Sequence, residues 1–196
     1  MESLPIHPQR LEGPWNAGWA LDLHTLWSRL DETGRFDTQR SPIGESLYRL
    51  KYLNDESQIG ILAQVAASFI SEHVRPYFAI DAIVPIPPSN TDRALQPVPA
   101  VAREIGKILG IVVDETYLRK VKPTPNLKDI EDLRERLEVL RGAFRVDERY
   151  TDEVVLLFDD LYRSGATLAM AAGVVRWVGR VSALVVLTLT KTRTRR

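Results

Sequence analysis

The sequence predicts an α/β protein in which a mainly parallel sheet is flanked by helices on both faces, with a small N-terminal appendage or hood. Strand patterns alternate with helix patterns along most of the chain. The runs EVVLLF (153–158) and VSALVVLTL (181–189) are almost wholly apolar, as strands buried on both faces are. A helix-length segment separates these two runs, which favours a parallel crossover connection.

The N-terminal 40 residues show the least regular pattern. Five prolines and glycines fall within residues 5–18, and WALDLHTLW (19–27) alternates as an extended segment does. We therefore predict an appendage over residues 1–40, a main domain over residues 41–190 and a basic tail over residues 191–196.

Two helices are predicted next. The stretch SPIGESLYRLKYL (41–53) opens with Ser-Pro, which suits a first helical turn, and places its apolar residues at helical spacing. Asp55 is predicted to cap a second helix that reaches about His73.

The remainder of the chain alternates strands and helices that end at recognisable signals. Prolines stop one apolar run, and Gly110 ends a helix. The predicted elements are a strand in 79–87, a helix over 96–109, a strand at 111–113, a helix over 130–140, an extended segment at 142–146, a strand over 153–158, a helix over 165–178 and a strand over 181–189.

Composition limits the classes of function. The 196 residues are 44% hydrophobic, and 26 Lys and Arg balance 26 Asp and Glu, so bulk charge gives no reason to expect attraction to nucleic acid or anionic membrane. The chain has no cysteine, which excludes disulfides, thiolate zinc sites and cysteine nucleophiles. No run approaches the roughly 20 apolar residues of a membrane span. We expect a cytoplasmic protein.

The stretch VVLLFDDLYRSGAT (154–167) carries the candidate site. Asp159 and Asp160 follow an apolar strand, and the next residues lead into a helix whose first backbone N–H groups can bind an anion. Gly165 permits close approach of the main chain. Paired carboxylates suit a ligand that offers a diol beside its phosphate, because ionised Asp accepts hydrogen bonds from hydroxyls. A ribose 5-phosphate has this arrangement.

Other interpretations of this stretch exist. A lone Asp at a strand end could cap the next helix. The run LLFDD could belong to a P-loop NTPase, but the chain lacks the companion Gly-x-x-x-x-Gly-Lys-Ser/Thr. A dinucleotide fold would show a glycine-rich turn after its first strand, and none is visible.

The stretch VVLLFDDLYRSGAT resembles the signature of the type I phosphoribosyltransferases. AIVPIPPS (82–89) is similar to the segment before the pyrophosphate loop of that family. The segment from RKVKPTPNLKD (119–129) to Val146 and the stretch LYRLKY (47–52) resemble the ComF-type subgroup. That subgroup commonly begins with a cysteine-rich zinc ribbon, which a chain without cysteine lacks, and we predict no structural zinc.

The resemblance implies a substrate, 5-phosphoribosyl 1-diphosphate, and displacement of its pyrophosphate by a nitrogen nucleophile, usually a nucleobase. It implies Mg²⁺, and it assigns Asp159 and Asp160 to the ribose hydroxyls and, directly or through the substrate, to the metal. The 5-phosphate would be surrounded by Arg163, Ser164, Gly165, Ala166 and Thr167. The pyrophosphate loop would consist of Pro87, Pro88, Ser89 and Asn90.

A basic segment, RKVKPTPNLK (119–128), resembles the flexible loop of the family. Lys120 and Lys122 would contact the diphosphate as the loop closes and excludes water. A solvated surface loop is the other interpretation of this charge run.

A second function from a different class stays open. The protein could be a non-catalytic ribose-phosphate-binding or accessory protein linked to DNA uptake, with the tail KTRTRR (191–196) contacting nucleic acid. Disorder is the other interpretation of the tail. The resemblance further implies a homodimer, and no residue set identifies the acceptor base.

Overall fold

The computed structural model describes residues 4–88, 95–122, 130 and 132–193. Strands and helices alternate along this part of the chain. The strands are β1 (Gln9–Arg10), β2 (Ala17–Leu23), β3 (Thr25–Leu30), β4 (Phe36–Arg40), β5 (Ala82–Pro85), β6 (Val112–Val113), β7 (Arg119–Lys120), β8 (Phe144–Arg145), β9 (Val154–Tyr162) and β10 (Ala183–Lys191). The helices are α1 (Pro42–Tyr52), α2 (Gln58–Phe69), which continues into a π-helical turn at Ile70–Val74, α3 (Pro97–Leu109), α4 (Leu133–Leu140) and α5 (Ala166–Trp177).

Six of the strands form one central sheet in the order β1-β2-β10-β9-β5-β6. All neighbours pair in parallel except β1 and β2 at one edge, so the predicted mainly parallel sheet is confirmed. The chain runs outward from β5 to β6, then returns to β9 and continues the other way to β10. Strand order therefore reverses between β5 and β9, and such a switch point is where open α/β sheets bind ligands.

Helices cover both faces of the sheet, as predicted. Alternate residues of β9 point to opposite faces, and they enter two separate cores. Phe158 is buried among apolar residues of α1, α2 and α3, whereas Leu157 is buried against α5 and α4. The central strands are thus shielded on both sides, which explains their continuous apolar runs.

The helix ends follow local capping rules. The first helix begins at Pro42 as predicted, and Ser41 caps it by accepting a hydrogen bond from the Gly44 backbone N–H at 3.0 Å. Gly110 ends α3, also as predicted, in the left-handed conformation at φ 67°. The second helix differs, because Ser57 occupies its N-cap position and the helix begins at Gln58. Asp55 instead accepts hydrogen bonds from Ser57 in the turn before the helix.

Residues 1–40 do not form one unit apart from the sheet. Strand β2 lies inside the central sheet and pairs in parallel with β10, with Ala17 opposite Val185. Among the strands of residues 4–40, only β3 and β4 form a sheet apart from the central one. The extended pattern was visible in the sequence, but the partner of β2 lies near the other end of the chain. Lys191, placed in the predicted tail, is the last residue of β10.

A second small antiparallel sheet is formed by β7 and β8, which lie on either side of α4 in the sequence, and β8 contacts α5. Residues 123–129 of the predicted flexible loop lie outside the described residues. In the part of the chain that is described, no helix is long and apolar enough to cross a lipid bilayer.

Candidate functional site

The acidic pair lies within strand β9 rather than after it. The sequence predicted that this strand ends at Phe158, but β9 continues to Tyr162 because β10 continues beside it, with Asp159 opposite Thr188. Two successive strand residues point to opposite faces of a sheet. Asp159 therefore lies on the α5 side and Asp160 on the side of α1.

Asp160 is engaged in an ion pair. Its Oδ2 atom lies 2.7 Å from Nζ of Lys51 in α1, and the two side chains are only 13% and 20% exposed. The hydroxyl of Thr190 on the neighbouring strand donates to the Asp160 carbonyl at 3.1 Å. Asp160 is thus held at both its side chain and its backbone.

Asp159 has a different environment. Its Oδ1 atom accepts a hydrogen bond from the Asp160 backbone N–H at 2.9 Å. Burial raises the pKa of Asp159 above its usual range, and the neighbouring charge of Asp160 raises it further, against the smaller opposing effect of Lys51. The two carboxylates therefore lie in different surroundings although they are adjacent in sequence.

Burial by itself would lower the pKa of Lys51, and this is the largest single effect on that group. The charge of Asp160, its hydrogen bond and the charge of Asp159 outweigh burial and raise the pKa overall. The Lys51 side chain is therefore positively charged at neutral pH, and it lies at this edge of the sheet.

The loop after β9 leads into the N-terminus of α5. Gly165 is the N-cap residue and has φ 76°, a conformation that L side chains rarely adopt. Thr192 holds the preceding turn, because its backbone N–H donates to the Tyr162 carbonyl and its hydroxyl donates to the Arg163 carbonyl. Ser164 and Thr167 are both partly exposed, and the Ser164 hydroxyl accepts a hydrogen bond from Ala166 N–H at 3.5 Å.

The ring of Tyr162 covers part of this loop. A Cβ added to Gly165 would lie 2.7 Å from Cζ of that ring. Burial, followed by the charge of Glu12, raises the pKa of Tyr162. The phenol is neutral at physiological pH and lies beside the helix N-terminus to which the sequence assigned an anion.

The second predicted loop begins at the same edge of the sheet. Strand β5 lies beside β9, and the Ile86 backbone N–H donates to the Phe158 carbonyl at 2.8 Å. Pro87 and Pro88 therefore start level with the acidic pair on the adjacent strand. Ser89 and Asn90 lie outside the described residues.

The two lysines assigned to the flexible loop, Lys120 and Lys122, lie in or just after strand β7, which is not part of the central sheet. Lys120 belongs to β7 and pairs with Phe144 of β8, in a sheet separate from the central one. Burial lowers the pKa of Lys120, and Lys122 is exposed. A contact of either lysine with a diphosphate stays a prediction.

The sequence interpretation missed two residues at this edge. Lys51 lies 109 residues before Asp160, and its place in the stretch LYRLKY (47–52), which resembles the ComF-type subgroup, was the signal that the sequence offered. His24 follows β2, and its Nδ1 lies 3.3 Å from the Thr190 hydroxyl. Burial, then the charges of Arg40 and Lys51, lowers the pKa of His24, so the imidazole is neutral at pH 7.

The residues at this site could hold magnesium only together with a bound substrate. Within the described ranges, no group of three or more His, Cys, Asp or Glu side chains could hold a metal ion. Asp159 and Asp160 each offer the kind of oxygen atom that Mg²⁺ prefers, but their side chains point to opposite faces of the sheet and this ion needs near-octahedral coordination. The remaining ligands would come from water and from the phosphate oxygens of a substrate.

These features define an α/β protein whose acidic pair lies at the switch point of its central sheet. No protein-family model matches the sequence, and no curated protein matches it. Solved structures similar in fold include three enzymes. They are an adenine phosphoribosyltransferase (14% identity over 83% of this chain and 84% of that one, TM-score 0.48), the orotate phosphoribosyltransferase of Aeropyrum pernix (18%, 86% and 76%, 0.44) and the UMP synthase of Leishmania donovani (16%, 82% and 28%, 0.42).

The chain spans 28% of the length of that UMP synthase. These similarities are too low to assign an activity or a substrate to this chain. The resemblance to the ComF-type subgroup stays a prediction.

Proposed function

We propose that this protein is a phosphoribosyltransferase that uses 5-phosphoribosyl 1-diphosphate and transfers its ribose 5-phosphate to a nitrogen acceptor, such as a nucleobase. The observation that carries the proposal is the alignment of two neighbouring strands at the sheet switch point. The Ile86 to Phe158 hydrogen bond sets Pro87 and Pro88 level with the acidic pair, which precedes the turn into α5. Open α/β sheets bind ligands at such a point, and 5-phosphoribosyl 1-diphosphate would place its 5-phosphate at the turn into α5.

The end of β9 suits the ribose phosphate part of this substrate. The left-handed Gly165 turns the chain into α5, and the first N–H groups of a helix attract phosphate. Arg163, Ser164 and Thr167 add charge and hydroxyl donors beside that turn. The carboxylate of Asp159 lies nearby on the α5 side of the sheet and would accept hydrogen bonds from ribose hydroxyls.

The reaction breaks the C1–O bond to the diphosphate and forms a C1–N bond, while the acceptor nitrogen loses its proton. Positive charge develops on the ribose ring as the diphosphate leaves, so carboxylates close to the ring lower the barrier. Magnesium bound with the diphosphate would neutralise the charge of the leaving group. Asp160 lies on the opposite side of β9 from Asp159, where its ion pair with Lys51 holds the side chain in place.

Calorimetric titration with 5-phosphoribosyl 1-diphosphate and MgCl₂ tests substrate binding. We expect wild-type protein to bind and Asp159→Asn and Asp160→Asn to lose most of the affinity. Asp37→Asn is the matched control, because Asp37 lies on the separate hairpin and its side chain is 52% exposed. Circular dichroism checks that each variant is folded. Equal affinity in all four proteins would contradict the proposal.

A screen of nucleobases for pyrophosphate release then tests catalysis. Release with one base, lost in Asp159→Asn, would establish the transferase reaction and the acceptor together. Binding without release under any base would favour the non-catalytic ribose-phosphate-binding function. The DNA contact proposed for that function involves the tail, of which residues 194–196 lie outside the described residues.

A further inference from the structure

Three side chains, Arg40, Tyr48 and Tyr52, form a short stack along α1. The guanidinium carbon of Arg40 lies 3.7 Å from the centre of the Tyr48 ring. The centres of the Tyr48 and Tyr52 rings are 5.1 Å apart, and their planes differ by 34°. Residues four apart on a helix lie on one face, so the two rings follow one another toward the end of α1.

The stack ends in an open ring. Tyr48 is contacted by both Arg40 and Tyr52, whereas within the described part of the chain the ring contacts of Tyr52 are limited to Tyr48. Tyr52 is 60% exposed, and the next residue, Leu53, is 61% exposed. A planar ring placed on Tyr52 would therefore continue the stack and cover apolar surface at the same time.

The ion pair between Lys51 and Asp160 fixes the position of this open ring. Lys51 immediately precedes Tyr52, and its Nζ atom lies 2.7 Å from Oδ2 of Asp160, so the end of α1 is held at the carboxyl end of β9. The helix also packs against β10 and β2, which lie on the opposite side of β9 from β5 in the sheet order. Helix α1 therefore approaches the switch point from the side away from β5.

The proposed reaction needs a nucleophile on that side. The diphosphate would lie toward Pro87 and Pro88, which follow β5. In an in-line displacement at C1, the nucleophile enters opposite the leaving group. The acceptor would therefore approach C1 from the side of β9 on which α1 lies, where the ring of Tyr52 is open.

We propose that the open face of Tyr52 binds the acceptor by stacking, and that the acceptor is a planar heteroaromatic ring rather than ammonia or an aliphatic amine. This inference rests on the proposed function. Stacking on an aromatic side chain tolerates different bases, because every base has a π-face. Tyr52 thus selects the class of acceptor, and other contacts select the individual base.

Calorimetry with two kinds of ligand tests this inference. Ribose 5-phosphate has no base, whereas the nucleoside monophosphates AMP, GMP and UMP carry a base at C1. We expect wild-type protein to bind at least one of the three about tenfold more tightly than ribose 5-phosphate. Tyr52→Ala should lose this advantage and keep the wild-type affinity for ribose 5-phosphate. Tyr52→Phe should retain the advantage, because its phenyl ring still stacks.

Tyr77→Ala is the matched control. Tyr77 is 80% exposed and precedes β5, at the other end of that strand from Pro87, so this variant should keep the full advantage of the nucleotide. The pair of Tyr48 and Tyr52 also stabilises α1. If that were the whole role of Tyr52, Tyr52→Ala would lower the unfolding temperature and weaken both kinds of ligand equally, and the inference would be overturned.

Failure of this inference differs from failure of the proposed function. If wild-type protein binds neither ribose 5-phosphate nor any of the three nucleotides, the proposed function is contradicted and the inference falls with it. If wild-type protein binds ribose 5-phosphate but no nucleotide more tightly, or if Tyr52→Ala keeps the full advantage, the inference about Tyr52 is overturned and the proposed function stands.

Discussion

The ring of Tyr162 lies against the Cα atom of Gly165, at the turn where β9 passes into α5. Gly165 has φ 76°, and a Cβ at this position would lie 2.7 Å from Cζ of the Tyr162 ring. Two independent constraints, the left-handed backbone and the close aromatic contact, thus require glycine at the helix N-terminus.

Gly165→Ala should therefore damage both the fold and the proposed phosphate site. A left-handed alanine costs about 1 kcal/mol and displacement of the ring adds to it, so we expect the free energy of unfolding to fall by about 2 kcal/mol. Denaturant unfolding measures this change, and calorimetry should show loss of substrate binding.

Gly173→Ala is the control for that substitution. Gly173 lies in the interior of α5, with no atom within 4 Å of an added Cβ. Alanine there should leave stability unchanged or raise it by about 0.5–1 kcal/mol, because glycine weakens a helix interior. Equal effects of the two alanine substitutions would contradict the constraint at Gly165.

Asp159 should lower the stability of the fold at neutral and alkaline pH. Its folded pKa is raised above the ordinary value of 3.8, chiefly by burial and then by Asp160, so the folded state binds the proton more tightly than the unfolded state. The contribution of Asp159 to stability is then greatest below about pH 4 and declines as the pH rises from there through the folded pKa.

Asp159→Asn removes this cost. At pH 8 the variant should exceed wild type in free energy of unfolding by about 1 kcal/mol or more, and the difference should vanish near pH 4. Thermal and denaturant unfolding across this range provide the measurement, with the exposed Asp37→Asn as control. A variant less stable than wild type at every pH would contradict the expectation.

Asp114 should have the opposite effect to Asp159 and stabilise the fold at neutral pH. Burial alone would raise its pKa and is the largest single effect, but hydrogen bonds from Thr116, Tyr150 and Arg149 together hold the pKa at about 2. Asp114 therefore stabilises the fold at pH values above 3.8, which is the ordinary pKa of this side chain. This contribution is lost as the pH falls through about 2.

Asp114→Asn should cost about 2 kcal/mol at pH 7, because an amide nitrogen would face the donors of Arg149 and Tyr150. The loss should shrink toward pH 2. Asp31→Asn, which alters a similar turn on the exposed hairpin β3–β4, should have a much smaller effect in the same unfolding measurements. Equal losses would show that the contacts to Arg149 and Tyr150 are unimportant.

The residues at the N-cap positions of α1 and α2 should differ in their contribution to stability. Ser41 is buried, caps Gly44 and donates to the Leu23 carbonyl at the end of β2. Ser41→Ala should cost about 1–2 kcal/mol. Ser57 makes no side-chain cap hydrogen bond, so Ser57→Ala should cost less than about 0.5 kcal/mol in the same unfolding assay.

Local sequence patterns predicted much of the fold. The apolar runs of β9 and β10, the Ser-Pro start of α1 and the glycine that ends α3 all depend on neighbours within a few residues, and those rules hold here. The turn into α5 was predicted for the same reason. The end of β9 was not, because the strand continues past Phe158 only where β10 runs beside it.

The sequence by itself determined the α/β class, the two apolar faces and the presence of two adjacent carboxylates before a helix. The tertiary structure decided that β2 joins the central sheet, that the carboxylates face opposite sides, and that Lys51 neutralises one of them. These features depend on contacts between residues far apart in the chain, such as the 109 positions between Lys51 and Asp160. Local propensity cannot specify such contacts, since they arise only when the helices and strands pack against one another.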